Sequence, residues 1–433
     1  MSMVVKNNMS AISTLNTLNK NSSALANSLK KVSSGMKINS AADDASGYAI
    51  SERMRVQIRG LDQANNNTQN GTSMMKVAEG AVSSTVDILK TLKEKVINAA
   101  NDTNTDADRA TIQKELDQSI DQINDNANVT YNGKYLVDGS HNSKVTATTT
   151  AMTNESLGTG TNSGTAFSDM TDRNGNSLNI QGSDTITMSV VREGKTETFS
   201  AYGSTSLGDL VGKGSNYLDT AANIGSGSTI GSDVAGDTVN TADGGNAITI
   251  HAKEGGVTGQ ISGLTFSVTN TKGQVQKSAN AVLDNFTESI RAQNKSDDNA
   301  ISLQVGTKAN QSIRVGLTDM RAEALGLQSS TGATIQIGTQ EKANAAINVL
   351  DNAVQKALDQ QTTIGSVESR LSYTSSNLTT ASENVQASES TIRDADMAKE
   401  MTEYTKNNVL LQAAQSMLAQ ANQSSSSVLS LLQ

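Results

Sequence analysis

Among its 433 residues the chain has no cysteine, no proline and no tryptophan. Without cysteine there is no disulfide framework, no thiolate metal site and no thiol chemistry. Average usage of about 5% would place roughly twenty prolines in a chain of this length. Without any, no slow cis/trans step delays folding and nothing interrupts a long helix. That suits a chain delivered unfolded and required to refold fast. Charge is also sparse: 18% of residues are charged, the net charge is −9, and aromatics make up 3%. Such a chain has no general attraction for nucleic acid or for an anionic membrane surface. No stretch approaches the roughly eighteen apolar residues of a membrane span. The start, from Met1 to Thr14, lacks the basic end and apolar run of a secretory signal, so an extracellular location would require another kind of exporter.

What fills the chain instead is Ser, Thr, Asn, Gln and Gly, with hydrophobic residues at only 35%. The length exceeds a single ordinary domain. Polar without being charged, the composition suits a long thin structure with much surface per residue.

Both ends carry a heptad pattern. Ala11, Leu15, Leu18, Leu25, Leu29, Val32 and Met36 lie three, four or seven apart, and Ser33-Ser34-Gly35 marks a stop. A second register runs from Ile50 through Leu61, Met75, Val82, Leu89 and Val96 to Ala99. A helix of about fifty residues would span roughly 75 Å. A shorter stretch places Ile112, Leu116, Ile120, Ile123 and Ala127 on one face. Towards the other end, Leu350, Ala357, Ile364, Leu371, Leu378, Val385 and Ile392 fall seven apart, and Leu410, Ala414, Met417, Ala421, Val428 and Leu431 form a last stripe. A seven-residue period means left-handed helix-on-helix packing. Each stripe is too narrow to be buried alone. The ends are therefore expected to need partners and to gain helix when they find them.

Between the ends the texture changes. Val137 to Gly182 and Gly225 to Gly245 are Ser/Thr/Gly/Asn-rich; within and beside them Thr146–Ser168 and Thr220–Thr241 read as flexible linkers, with O-linked glycans as the alternative. Alternation at Ile186/Met188/Val190 before Glu193-Gly194, at Ile248/Ile250 and at Leu264/Phe266/Val268 predicts strands. A helix is expected over Ala279–Ala292 with Val282, Leu283, Phe286 and Ile290 inward, then a hairpin pairing Ile301/Leu303/Val305 with Ile313/Val315/Leu317.

Several stretches imitate chemical sites. Asp102-Thr103-Asn104-Thr105-Asp106 resembles the start of a calcium loop, but its sixth position is Ala107 rather than Gly and its twelfth is Gln113 rather than Glu. Gly225 to Gly231 has the wrong spacing for a dinucleotide loop. The only histidines, His141 and His251, stand in unrelated contexts, so no zinc-peptidase HExxH helix exists. No catalytic, cofactor or metal site is expected.

The stretch SSGMKINSAADDASGYAISERMRVQIRGLDQANNNTQNGTSMMKVAEGA (Ser33 to Ala81) resembles the N-terminal core of bacterial flagellins. LLQAAQSMLAQANQSSSSVLSLLQ (Leu410 to Gln433) is similar to the end of the same family, and YNGKYLVDGS (Tyr131 to Ser140) and LQVGTKANQSIRV (Leu303 to Val315) resemble its turn and hairpin. The likeness covers roughly residues 1–140 and 296–433. It implies a mainly α fold with a β-rich insertion: a long antiparallel helical bundle formed by both ends, a β-hairpin in the outer core and an α+β outer domain. The expected divisions are an inner-core helix over 1–40, outer-core helices over 41–139, a variable surface domain over 140–295, the hairpin and a long helix over 296–390, and a second inner-core helix over 391–433.

The resemblance further implies a self-assembling extracellular filament subunit exported unfolded by a type III route. Implied partners are further copies of itself, an export chaperone at the C-terminal helix, and filament cap and hook-junction proteins. Leu15, Leu18, Leu25, Leu29, Val32, Leu410, Met417, Val428 and Leu431 are the expected assembly seam. Asp43-Asp44, a pair that could be read as catalytic carboxylates, would lie in the loop entering the long helix as a cap or a contact between subunits. Flagellins that activate Toll-like receptor 5 present an Arg, a Leu and a Glu. The matching positions here are Thr91, Lys95 and Glu115, which implies a weak ligand. A hook–filament junction protein and a secreted adhesin on the same scaffold are the alternatives.

Overall fold

The computed structural model describes residues 8–219 and 225–431, and side chains over 8–219 and 227–423. The chain divides into two compact units. The first holds residues up to Asn67, Val305–Gln311 and the chain from Tyr373 onward; the second holds Thr68–Gln304 and Ser312–Ser372.

Long helices form where the heptads predicted them. Helix α1 spans Met9–Ser34, with the Asn8 side chain accepting from the Ala11 N–H at its start. It stops at Gly35, whose φ of 70° is the left-handed conformation glycine adopts without strain, and the Gly35 N–H donates to the Lys31 carbonyl. Helix α2 spans Ala45–Ala99 and helix α3 spans Asp106–Ala127, the latter opened by a reciprocal Thr105/Asp108 capping box. Helix α6 (Gln340–Arg393) and helix α7 (Met397–Leu431) close the chain. In the second unit Leu350, Ala357, Ile364 and Leu371 of α6 are fully buried, as are Leu116, Ile120 and Ile123 of α3. In the first unit Leu61 and Ala64 of α2 form a small core with Leu378 of α6.

The second unit also contains the β-rich insertion. Two-residue strands β1 (Thr130–Tyr131) and β2 (Lys134–Tyr135) flank a tight Asn132-Gly133 turn. A three-stranded antiparallel sheet runs β10 (Ile261–Thr269), β4 (Thr185–Arg192), β5 (Lys195–Tyr202), with the predicted Glu193-Gly194 turn joining the last two. A four-stranded sheet runs β11 (Thr287–Ile290), β3 (Ala151–Asn154), β9 (Ala247–His251), β6 (Gly225–Gly227). Strands β7 (Thr229–Ser232) and β8 (Thr238–Asn240) pair separately. A short helix α4 (Leu207–Lys213) and the core residues Phe167, Ile186, Met188, Leu210 and Phe266 complete the layer. Strands β12 (Ile301–Gln304) and β13 (Ser312–Val315) make the predicted hairpin. Gly71 of α2 has no side chain because a Cβ there would lie 2.7 Å from Leu303 Cδ1 of β12.

Two expectations are corrected. The helix predicted over Ala279–Ala292 is only α5, Lys277–Leu283. At Asp284 the side chain accepts the Phe266 N–H of β10, and the chain then turns into β11. Phe286 and Ile290 do not share a helix face: Phe286 stacks 5.2 Å from Phe266, while Ile290 packs with Ala151 and Ile230. The polar stretches are not linkers either. Thr148, Thr150, Thr153, Asn154 and Thr161 are buried, and β6 and β7 fall inside the Gly-rich run. These side chains serve the backbone: Thr150 Oγ1 accepts from the Ile261 N–H at 3.2 Å, and Asn154 Nδ2 donates to the Val282 carbonyl at 2.8 Å. Buried polar residues so satisfied leave no hydrophobic signature in the sequence.

Candidate assembly faces of the terminal helices

Helices α1 and α7 pair antiparallel. Asn21 donates to the Leu410 carbonyl at 3.2 Å, Asn407 to the Ser28 hydroxyl at 3.0 Å, and Lys31 stands 3.7 Å from Glu400. The seam residues divide between two faces. Leu18, Leu25 and Val32 of α1 are half-buried within the pair, as are Leu411 and Leu418 of α7 beside the buried Ala414. Leu15 (45% exposed), Leu29 (51%), Leu410 (42%) and Met417 (63%) point away from it. The side chains of Val428 and Leu431 lie outside the described residues. Ile12 and Met401 join the outward set at 47% and 46% exposed. Among the described side chains of α1 and α7 only Ser28 and Ala414 are fully buried. The pair is thus weakly cored, and each of its helices keeps large apolar side chains exposed besides those buried in the pair.

At the base of the pair, the breaks α1–α2 and α6–α7 are tied together. Lys37 N–H donates to the Arg393 carbonyl at 2.8 Å and Ala395 N–H to the Gly35 carbonyl at 2.9 Å. Arg393, only 5% exposed, occupies the junction. Its Nη1 donates to Glu52 at 2.6 Å and to the Ser51 hydroxyl at 3.3 Å, its Nε lies 3.2 Å from Met36 Sδ, and its guanidinium sits 5.4 Å from the centre of the Tyr48 ring. The guanidinium holds the Glu52 carboxyl below its ordinary range. Arg55 extends the network to Glu389 at 3.1 Å. Sequence reading missed this clamp. Its signal was an arginine just after the Ile392 seam position, followed by the helix-breaking run Asp394-Ala395-Asp396.

Asp43 and Asp44 close the loop before α2. Asp43 Oδ2 accepts from Asn39 and Ser40 backbone N–H groups, and Asp44 Oδ1 accepts from the Gly47 and Ser46 N–H groups, capping the helix. Both carboxyls are held below the usual range, Asp43 first by the Ser40 N–H and Asp44 first by the Gly47 N–H. Near α3, Arg109 is buried among the calcium-like carboxylates, 3.0 Å from Asp106 and 3.9 Å from Asp102. Among the described residues no three His, Asp or Glu side chains come together as a metal site. Of the receptor-matching positions, Thr91 is exposed and bonds back to the Asp87 carbonyl, while Lys95 and Glu115 are joined in an ion pair of 3.0 Å.

The family model described as the bacterial flagellin N-terminal helical region matches residues 5–142, and the bacterial flagellin C-terminal helical region matches residues 347–432. A flagellin of Clostridium tyrobutyricum is 34% identical over 97% of this chain and 99% of its own length. A flagellin of Bacillus subtilis is 31% identical over 99% of this chain and all of its own. Among solved structures, a flagellar hook-associated protein from Legionella pneumophila covers 78% of this chain and 97% of its own at 17% identity, with a TM-score of 0.34.

Proposed function

The chain belongs to the bacterial flagellins and is a subunit of the extracellular flagellar filament, and we propose that the outward stripe of its terminal helix pair is the surface on which subunits join. The observation carrying this reading is that Leu15, Leu29, Leu410 and Met417 are exposed on a helix pair that has almost no core of its own. An apolar stripe of that kind is stabilised only when a neighbour removes it from water. On this reading 1–40 and 391–433 are the inner core, 41–139 and 296–390 the outer core, and 140–295 the variable surface domain. The export chaperone grips the C-terminal helix, cap and hook-junction proteins meet the filament's two ends, and no residue works as a catalyst.

Electron microscopy of the purified protein at high salt tests this directly. Long filaments are expected, accompanied by a gain of helical circular dichroism as α1 and α7 find neighbours. Short or absent polymers would favour the junction-protein or adhesin readings instead.

A second reading concerns Toll-like receptor 5. It rests on the Lys95–Glu115 ion pair, which places a cation where the resemblance calls for an apolar anchor and ties up the glutamate. Lost hot-spot contacts are worth about 2 kcal/mol each. The native protein is a weak ligand, and the double change Thr91→Arg with Lys95→Leu raises its potency in a receptor reporter assay at least about tenfold. Full potency of the unaltered monomer would reject this.

A further inference from the structure

Three Asn-Gly dipeptides stand in the chain: Asn70-Gly71, Asn132-Gly133 and Asn174-Gly175. Asparagine before glycine is chemically reactive, because the glycine nitrogen can attack the side-chain amide with no Cβ in the way. The attack needs a glycine N–H free of other bonds and an asparagine side chain free to swing onto it. The fold grants both to one of the three. Gly71 lies inside α2, where its N–H belongs to the helical ladder, and it is buried against Leu303. Gly175 donates to the Asp172 carbonyl at 3.0 Å, and Asp172 Oδ1 holds the Asn174 and Asn176 N–H groups on either side of it. Asn132 and Gly133 are both exposed, and among the described residues neither the Asn132 side chain nor the Gly133 N–H has a hydrogen-bond partner. A Cβ at Gly133 would meet nothing within 4 Å. Only the pairs Thr130/Tyr135 and Tyr131/Lys134 hold this turn, so it opens at small cost.

We propose that Asn132 is a site of spontaneous modification by water, passing with age into aspartyl and isoaspartyl forms. Gly133 N gives up its proton and bonds to Asn132 Cγ; the Cγ–Nδ2 bond breaks, and Nδ2 leaves as ammonia with a proton regained. Water then opens the five-membered imide at one of its two carbonyls. Breaking the bond to Cγ restores the main chain and leaves an aspartate. Breaking the bond to the backbone carbonyl carbon routes the main chain through Cβ and Cγ. Either product adds one negative charge to a chain whose net charge is −9. The second also lengthens by one carbon a turn that needs two residues of ordinary spacing, and so unpairs β1 from β2. Leu136 and Val137, fully buried just beyond, keep the rest of the unit in place.

The test is peptide mapping by mass spectrometry of the folded full-length protein incubated in heavy-oxygen water at mildly alkaline pH. Label is expected at Asn132 at least about fivefold faster than at Asn70 or Asn174, since each of those sites must first break a hydrogen bond. The rate rises with pH, two chromatographically separable isomers form, and isoelectric focusing gains an acidic band that the Asn132→Ser protein lacks. In urea, where no fold selects among them, the three sites convert at similar rates. Equal conversion of Asn132 and Asn174 in the folded protein, a preference for Asn132 that persists in urea, or label without an isoaspartyl product would each overturn the proposal.

Discussion

Placing a carboxylate on the outward stripe, as Leu15→Glu or Met417→Glu, stops filament growth while leaving the single chain folded. Both side chains are about half or more exposed in the isolated chain, at 45% and 63%. Surface changes of this kind usually alter folding stability by less than about 0.5 kcal/mol. In the filament the same position would carry a buried, unpaired charge, whose desolvation costs several kcal/mol, or about 3 kcal/mol or more per joint. The critical concentration for seeded polymerisation, followed by light scattering or sedimentation, therefore rises at least about 100-fold. The contrast is Leu18→Glu. That residue is half-buried between α1 and α7, so its change lowers helicity of the free chain as well as assembly. If Leu15→Glu and Met417→Glu polymerise normally, the outward stripe is not the joining surface.

Removing the guanidinium at the hinge, Arg393→Ala, is expected to release the terminal helices from the rest of their unit. The residue is almost fully buried and holds Glu52, Ser51, Met36 and Tyr48 at once. Losing those bonds and the packing of its stem costs about 2–3 kcal/mol. The reporters are the two amide groups that bridge the breaks, Lys37 and Ala395. Their hydrogen exchange should accelerate about 30- to 150-fold, with little change in the second unit. Unaltered protection at both amides would show that backbone bonding alone holds the junction.

The pH dependence of this effect has a definite sign. Arg393 lowers the Glu52 carboxyl from its ordinary value of 4.5, so the favourable contribution is complete above that pH. It is lost as pH falls through the lowered folded value. The gap between the native protein and Arg393→Ala is therefore full at neutral pH and narrows in acid.

Much of this molecule follows from the chain without its coordinates. A seven-residue repeat needs only local sequence to specify helix and a narrow apolar seam, and with no proline nothing breaks α2 or α6. Ser34-Gly35 ended α1 where it was expected to, because glycine at a positive φ costs little. Strands β4, β9 and β10 were legible because Ile186/Met188/Val190, Ile248/Ile250 and Leu264/Phe266/Val268 enter one core at every second position. Family membership was legible in the same terminal stretches.

What remained hidden depended on contacts distant in sequence. A stripe of leucines does not reveal which partner buries it. Only the pairing of α1 with α7 separated Leu18 and Leu25, turned inward, from Leu15 and Met417, left outward. The buried threonines of the insertion looked like linker because their role is to satisfy backbone groups brought from elsewhere, such as the Ile261 N–H. Phe286 and Ile290 fit a helix by spacing, yet separate cores claimed them. Arg393 takes its role only because the fold closes Glu52, Met36 and Tyr48 around it. Local propensity and periodicity determined the elements; contacts between residues distant in sequence, which carry no periodic mark, decided the clamp and which apolar side chains of the terminal helices stay outward.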